Sequence, residues 1–277
     1  MTASASAPGK VVLSGEYAVL DGAPAICMAV DRRANVTIEN EPTEAIEPSS
    51  LVLTIMRAAG VSVVPHCDTS AFSTPAGEKL GLGSSAALTV AMLAAFDGKQ
   101  PELGRAIAAH REWQGGSGSG ADIACSLHGG LIEYAMEDAE VSPIAWPEGL
   151  EFRLLWSGAP SSTGEKLSRL AGIARRPSAD HLVTQADSVA AAWRSGDAYK
   201  VLSAYGEYTE TLRAFSVDHK LGIFDAGHDE IVDAATAANI VYKPCGAGGG
   251  DIGIALSTNA AAGLVNNICR GRSIDDL

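Results

Sequence analysis

Apolar and polar positions alternate in short stretches near the start of the chain and give way to helical spacing further on. Val11 to Leu13 is an apolar run bracketed by Pro8-Gly9 and Gly15-Glu16-Tyr17, and it reads as a strand. Pro24 to Val30 and Arg33 to Glu39 read as two further strands. In the second, Ala34, Val36 and Ile38 alternate with polar residues, the pattern of a sheet with one buried and one wet face. Leu51 to Ala59 predicts a helix and Val61 to Val64 a β segment, in a region punctuated by Pro42, Pro48, Pro65 and Pro75. Thr89 to Phe96 is an apolar helix that stops at Asp97-Gly98. Pro101 to Trp113 predicts another, with Leu103, Ala106 and Ile107 facing inward. Gly129 to Tyr134 and Phe152 to Trp156 read as strands, separated by an acidic, breaker-rich connection over 137–149. Ser178 to Phe215 is helical with a break near Gly196, a helix hairpin that covers a sheet. Ala226 to Ala238 and Asn259 to Arg270 predict further helices, and Ile252 to Leu256 a strand.

Three glycine-rich loops interrupt this pattern. The first, Gly81-Leu82-Gly83-Ser84-Ser85-Ala86-Ala87, opens directly onto the Thr89–Phe96 helix. The first N–H groups of a helix have no partner inside it and carry partial positive charge. Glycines admit a bulky anion to that backbone, and small side chains leave it room, which is the build of a phosphate cradle. A plain helix cap by Ser84 or Ser85 explains the local sequence as well. No Gly-x-x-x-x-Gly-Lys-[Ser/Thr] loop occurs, and Ala86 stands where Gly-x-Gly-x-x-Gly requires its third glycine. The second loop, Gly115 to Gly120, leads to Asp122, which is either a first-turn helix carboxylate or one poised to accept a proton. The third, Gly246-Ala247-Gly248-Gly249-Gly250, holds more glycine than a hairpin turn needs and points to a backbone that closely approaches another loop or a ligand. Ser161, Ser162 and Thr163 precede a helix and form either an anion-binding turn or a simple cap. Lys10, at the head of the first strand, is either a solvated surface group or one that reaches into a cleft.

Composition narrows the classes. A chain of 277 residues with 47% hydrophobic and 19% charged content folds as one large domain or two lobes. A net charge of −13 argues against nucleic acid and leaves a nucleotide open, provided its phosphates meet dipoles and lysines locally. The start lacks the basic region and apolar core of a secretory signal, and no apolar run reaches the ~20 residues of a membrane span. Cys27, Cys67, Cys125, Cys245 and Cys269 form no Cys-x-x-Cys pair, which fits a reduced, cytoplasmic protein without structural zinc.

Taken together, Pro8-Gly9-Lys10, Gly81 to Ala87 and Gly246 to Gly250 resemble the three motifs of the GHMP kinase superfamily. Within it, Gly15-Glu16-Tyr17-Ala18-Val19-Leu20, Ala109-His110-Arg111, Gly118-Ser119-Gly120-x-Asp122, Trp156 to Gly164 and Lys243 to Asp251 are most similar to the phosphomevalonate kinases. The resemblance implies a two-lobed α+β fold: a lobe like ribosomal protein S5 domain 2 over 1–149, which binds ATP, a ferredoxin-like lobe over 150–277, and the site in the cleft between. It implies ATP-dependent phosphoryl transfer to a phosphorylated acid, phosphomevalonate to diphosphomevalonate in isoprenoid synthesis. Mevalonate or another small alcohol or acid is the alternative acceptor, and a non-catalytic binding protein of the same fold is the alternative from another class. By the same resemblance, ATP would meet Lys79, Gly81, Leu82, Gly83, Ser84, Ser85, Ala86, Ala87 and Gly248, and Mg²⁺ would take Ser85 and Glu112. Lys10 and Asp122 would be catalytic. Glu16, Tyr17, Arg111, Ser119, Gly120, Ser161, Ser162, Thr163, Lys243 and Gly246 would hold the acceptor. The segment between Lys10 and Gly81 is short for the family, in a region that helps enclose the adenine. The implied partner is a small-molecule substrate, without nucleic acid or membrane; a homodimer is a compatible assembly.

Overall fold

The structure, a computed structural model, describes residues 3–39, 47–161, 166, 170, 176–258 and 272–274. Strands β1 (Ala3–Ser14) and β2 (Ala25–Ile38) pair antiparallel along their whole length, from Ala3 opposite Ile38 to Ser14 opposite Ile26. The two strands expected over 24–39 are therefore one. Pro8 faces Arg33 while the adjacent Gly9 faces Val30, so a bulge absorbs Asp31 and Arg32 without ending the ladder. After α1 (Ser50–Ala59), Val61 to Val64 forms no strand, and Val63 and Val64 are exposed. The strand lies beyond Pro65 instead: β3 (His66–Asp68) pairs with Asn35 to Thr37 of β2.

The first sheet runs β1-β2-β4-β5, with β4 at Leu131–Ala135 and β5 at Glu140–Pro143, inside the stretch expected to be a plain connection. Helix α2 (Ser84–Asp97) packs on β1 and β2 and buries residues on every side, from Ala86 and Leu88 to Met92 and Leu93. A helix apolar all round belongs at the centre of a lobe. Around it lie α3 (Leu103–Trp113), α4 (Ala121–His128) and α1.

The second sheet runs β6-β8-β7, antiparallel throughout, with β6 at Leu150–Trp156, β7 at Val241–Pro244 and β8 at Ile252–Thr258. A hairpin follows β6: α6 (Ala198–Asp218) packs on β7 and β8, while α5 (Pro177–Ser195) packs against β1 and β2 of the first sheet, and α7 (His228–Ala237) comes after. Gly196 (φ 67°) ends α5, and the Asp197 carboxylate caps α6 by accepting from the Tyr199 and Lys200 N–H groups. Tyr205 and Tyr208 of α6 reach back to the first half, where Tyr205 donates to the Leu13 carbonyl. One apolar cluster runs continuously through both halves, from Leu13 and Ile26 to Trp193 and Leu256.

The helix expected over Asn259 to Arg270 lies outside the described residues. Among the described residues no helix is long and apolar enough to cross a membrane, and Cys27, Cys67, Cys125 and Cys245 are free thiols.

Candidate active site

A cleft of about 630 Å³ lies where the two halves meet, within the usual size of a small-molecule site. Two helices begin at its wall. The N-cap of α2 is Gly83 (φ 74°), which has no side chain to offer, so neither Ser84 nor Ser85 acts as the cap. The first bond within the helix runs from Ala87 N–H to the Gly83 carbonyl, which leaves the N–H groups of Ser84, Ser85 and Ala86 without an intrahelical partner. Gly120 (φ 92°) stands in the same place for α4, and Asp122 lies in its first turn. Lys10 and Lys79 add positive charge to the same cleft, against the acidic balance of the whole chain.

The lysine is placed by backbone. Lys10 N–H donates to the Leu82 carbonyl at 2.8 Å, which ties β1 to the first glycine loop. Its side chain then crosses Gly83, where a Cβ would come within 2.6 Å of Lys10 Cε. Opposite, Asp122 Oδ1 accepts from Ile123 N–H at 3.0 Å. The charges of Lys10 and Asp122 both act on His110, Cys27 and Cys125. Burial holds the His110 imidazole below the usual histidine range, with Asp122 pulling it back up and Lys10 pushing it down. His110 Nε2 lies 3.2 Å from Ser85 Oγ and so orients that hydroxyl. Burial pushes the Cys125 thiol up to about 12 and the Cys27 thiol well above its usual range, so both are inert neighbours.

Glu16, Tyr17, Ser119, Ser161 and Gly246 border the cleft, beside Gly81 and Leu82. Tyr17 adopts φ 61° and its hydroxyl donates to the Ala247 carbonyl of the third glycine loop at 2.8 Å. Ser161 spends both donors inside the protein, its N–H on Asp251 Oδ1 at 2.9 Å and its hydroxyl on the Gly248 carbonyl at 2.6 Å. Ser162 and Thr163 lie outside the described residues.

Several expected site residues are elsewhere. Glu112 pairs with Arg57 on the surface, its side chain 51% exposed, and does not reach the cleft. Arg111 donates to the Gly118 and Ser119 carbonyls and braces the second loop from behind. Lys243 is fully buried in an ion pair with Glu16, pointing away from solvent. Ala86 and Ala87 bury their side chains in α2, where the Ala87 N–H is taken by Gly83 and, of the two, only the Ala86 N–H stays open at the helix start; Gly120 packs under Ile107 and Tyr134, and Gly248 is packed against Ile223.

Two neighbours of the cleft stood in the family motifs without a role assigned to them. His110 sits one helical turn beyond Ala106 and Ile107 on the inward face of α3, a spacing that could have located it. Asp251 follows the third glycine run directly and lines the cleft. Burial raises its carboxyl above the usual range, while the Ser161 N–H and the charges of Lys10, Lys166 and Lys79 draw it back.

Residues 51–130 match the family of GHMP kinases N terminal domain. A phosphomevalonate kinase of Streptomyces sp. (strain CL190) is 30% identical across 90% of this chain and 88% of its own. A mevalonate kinase of Methanothermobacter thermautotrophicus is 38% identical across 48% of this chain and 50% of its own. The solved structure of Streptococcus pneumoniae phosphomevalonate kinase in complex with phosphomevalonate and AMPPNP superposes with a TM-score of 0.82 at 19% identity, covering 97% of this chain and 96% of that one.

Proposed function

We infer the function from the family: the chain belongs to the GHMP kinases, and it is a phosphotransferase. It transfers the γ-phosphoryl group of ATP to a small acceptor, and phosphomevalonate is the acceptor the similarity favours. The phosphomevalonate kinase match extends over nearly the whole of both chains, whereas the mevalonate kinase match covers about half of each. The observation that carries the chemistry is the meeting in one cleft of the open start of α2, the first turn of α4 with Asp122, and Lys10. We put the lobe boundary at 149/150, between β5 and β6, and assign ATP binding to the first lobe.

Phosphoryl transfer depends mostly on positioning and on charge stabilisation. In this reading the free N–H groups at the start of α2 hold the ATP phosphates, and Lys79 adds a point charge beside them. Lys10 stabilises the charge that spreads over the transferred group. Asp122 orients the attacking phosphate oxygen of the acceptor and takes its proton when one is present. A phosphate monoester loses its second proton near pH 6, so at neutral pH the orienting task dominates. Mg²⁺ in such sites rests mainly on substrate phosphates and water, with one or two groups from the protein. The Ser85 hydroxyl at the start of α2 fits that demand; Glu112 does not.

The test is a coupled ADP-release assay with Mg-ATP against phosphomevalonate, mevalonate and homoserine in parallel. Turnover selective for phosphomevalonate is expected. Selectivity for another of the three would keep the mechanism and discard the acceptor. For Asp122→Asn the expected outcome is a loss of about 10²–10⁴ in kcat with ATP binding retained, since the carboxylate acts on the acceptor. Turnover like that of the wild type would remove Asp122 from the mechanism.

A further inference from the structure

Glu16 and Lys243 form the one ion pair among the described residues with both side chains out of water, 2% and 0% exposed. The others, such as Arg57–Glu112 and Arg213–Asp229, keep substantial contact with solvent. Lys243 Nζ donates to Glu16 Oε1 and, at 2.5 Å, to the Pro244 carbonyl. Tyr208 donates its hydroxyl to Glu16 Oε2 at 2.9 Å and accepts from the Gly15 N–H at 3.0 Å. The rings of Tyr205 and Tyr208 flank the ammonium at 5.8 and 5.7 Å. The cluster thus joins three segments remote in sequence: the corner after β1, helix α6, and strand β7.

Stability does not explain such a pair. The desolvation of two charges consumes most of their attraction, and apolar side chains of equal volume stabilise a core as well. What a satisfied buried pair adds is geometry, because any displacement leaves a charge unpartnered in a dry site. Its placement gives that geometry a use. Glu16 precedes Tyr17, which holds a left-handed φ of 61° that a bulky side chain adopts only when its surroundings impose it. Lys243 lies in β7, three residues before the third glycine loop. The two arms meet again at the cleft, where the Tyr17 hydroxyl donates to the Ala247 carbonyl.

We propose that Glu16, Lys243 and Tyr208 are positioning residues: the buried pair, bridged by the tyrosine, holds the Tyr17 corner and the third glycine loop in one fixed relation across the cleft. Glu16 then acts on the reaction through Lys243 and the backbone, and does not contact the acceptor. The kinetic arm of this inference rests on the phosphotransferase reading above; its structural arm does not.

The test uses Glu16→Gln, Lys243→Met and the double variant, which removes both charges together and nearly preserves volume. Hydrogen exchange is measured first. The double variant is expected to exchange at residues 14–17 and 245–250 at least 10-fold faster than the wild type, with protection in α2 and α5 unchanged. In turnover, each single variant and the double are expected to lose a similar factor in kcat, 10-fold or more, with KM for ATP within about 3-fold. Losses that multiply in the double variant would overturn the proposal, because they would mean that Glu16 works on the acceptor independently of Lys243. Unchanged exchange in those segments would also overturn it. If the double variant does not fold, Tyr208→Phe keeps both charges and removes only the bridging hydroxyl. Faster exchange at Gly15 with a drop in kcat supports the proposal there, and wild-type behaviour in both overturns it. A wild type that turns over no acceptor refutes the phosphotransferase reading, and the exchange result still decides the positioning role.

Discussion

Gly81 has no side chain because Asp251, arriving from the other lobe, occupies the place where its Cβ would stand. It also holds φ 77°, a conformation that an L side chain adopts only under strain. Gly81→Ala is therefore expected to lower unfolding stability by about 1–3 kcal/mol, the range for overpacking a site that cannot relax freely. Urea denaturation reads the change, and the same substitution in an Asp251→Ala background should lose less, because the overlap is gone and only the backbone strain remains. Equal losses in the two backgrounds would show that Asp251 moves aside without penalty. Contacts of this kind set the limit of what single residues disclose. Lys10, Lys79 and Lys243 look alike as letters, yet the first two line the cleft and the third is sealed behind it. Burial is a property of what packs around a residue, and for Lys243 that is Tyr205 and Tyr208, some 35 positions away. Glu112, assigned to Mg²⁺ from the sequence, could have been set aside on helical spacing alone. It lies two positions after the inward-facing His110, about 200° around the helix, on the face that meets Arg57 and solvent.

Elements follow local rules wherever their spacing is complete. The break near Gly196 is where α5 ends and the Asp197 carboxylate starts α6 with two N–H bonds. Asp197→Ala should remove about 1 kcal/mol of stability and leave kcat and KM unchanged, since the cap lies away from the cleft. A chemical-denaturation midpoint and the ADP-release assay check both halves of that statement; a fall in kcat would mean that the start of α6 controls the tyrosines further along it. Helices α1 and α3 were legible for the same reason, because apolar residues recur at helical spacing between recognisable ends. The strands were less so. Asp31-Arg32-Arg33 interrupts an apolar pattern, and only the partner strand reveals that a bulge carries the ladder past it. β3 and β5 are short edge strands defined by backbone pairing with β2 and β4, and their side chains carry little alternation to announce them. The site's two helix starts lay between these extremes. Glycine-serine runs before apolar segments marked both, but it took coordinates to show that the start of α2 has no side-chain cap while Ser119 and Asp122 accept from the first N–H groups of α4.

At the scale of the whole molecule, the cleft depends on the second sheet holding the third glycine loop against the first lobe. The family motifs pointed to that arrangement and the hydrophobic pattern did not, because a cleft between lobes has no periodicity. One buried group shows how the arrangement responds to pH. His228 of α7 is fully enclosed between Tyr242 and the third loop, with Nδ1 2.8 Å from the Tyr242 hydroxyl and Nε2 2.9 Å from the Gly250 carbonyl. A carbonyl can only accept, so Nε2 carries the proton and Nδ1 accepts from Tyr242. A second proton on the ring would reverse the Tyr242 bond, forcing the hydroxyl hydrogen to turn to another acceptor, and would place a charge in a dry site. Burial accordingly lowers the histidine from 6.5 to about 4, further pressed by Lys166 and Lys243 and only partly offset by the Gly250 carbonyl and Asp229. The unfolded chain takes up that proton near pH 6.5 and the folded chain only near 4, so the contribution to stability is whole above 6.5 and is lost as pH falls towards 4. His110, whose range is also lowered by burial, acts in the same direction. Between pH 7.5 and 5.0, His228 alone should remove about 2 kcal/mol from the unfolding free energy. Urea unfolding at the two pH values measures it, and His228→Gln, which keeps a donor and an acceptor but cannot titrate, should flatten most of the difference. A pH dependence that survives the substitution intact would assign it to other groups, and with it the idea that the third loop is held in place by a neutral imidazole would fall.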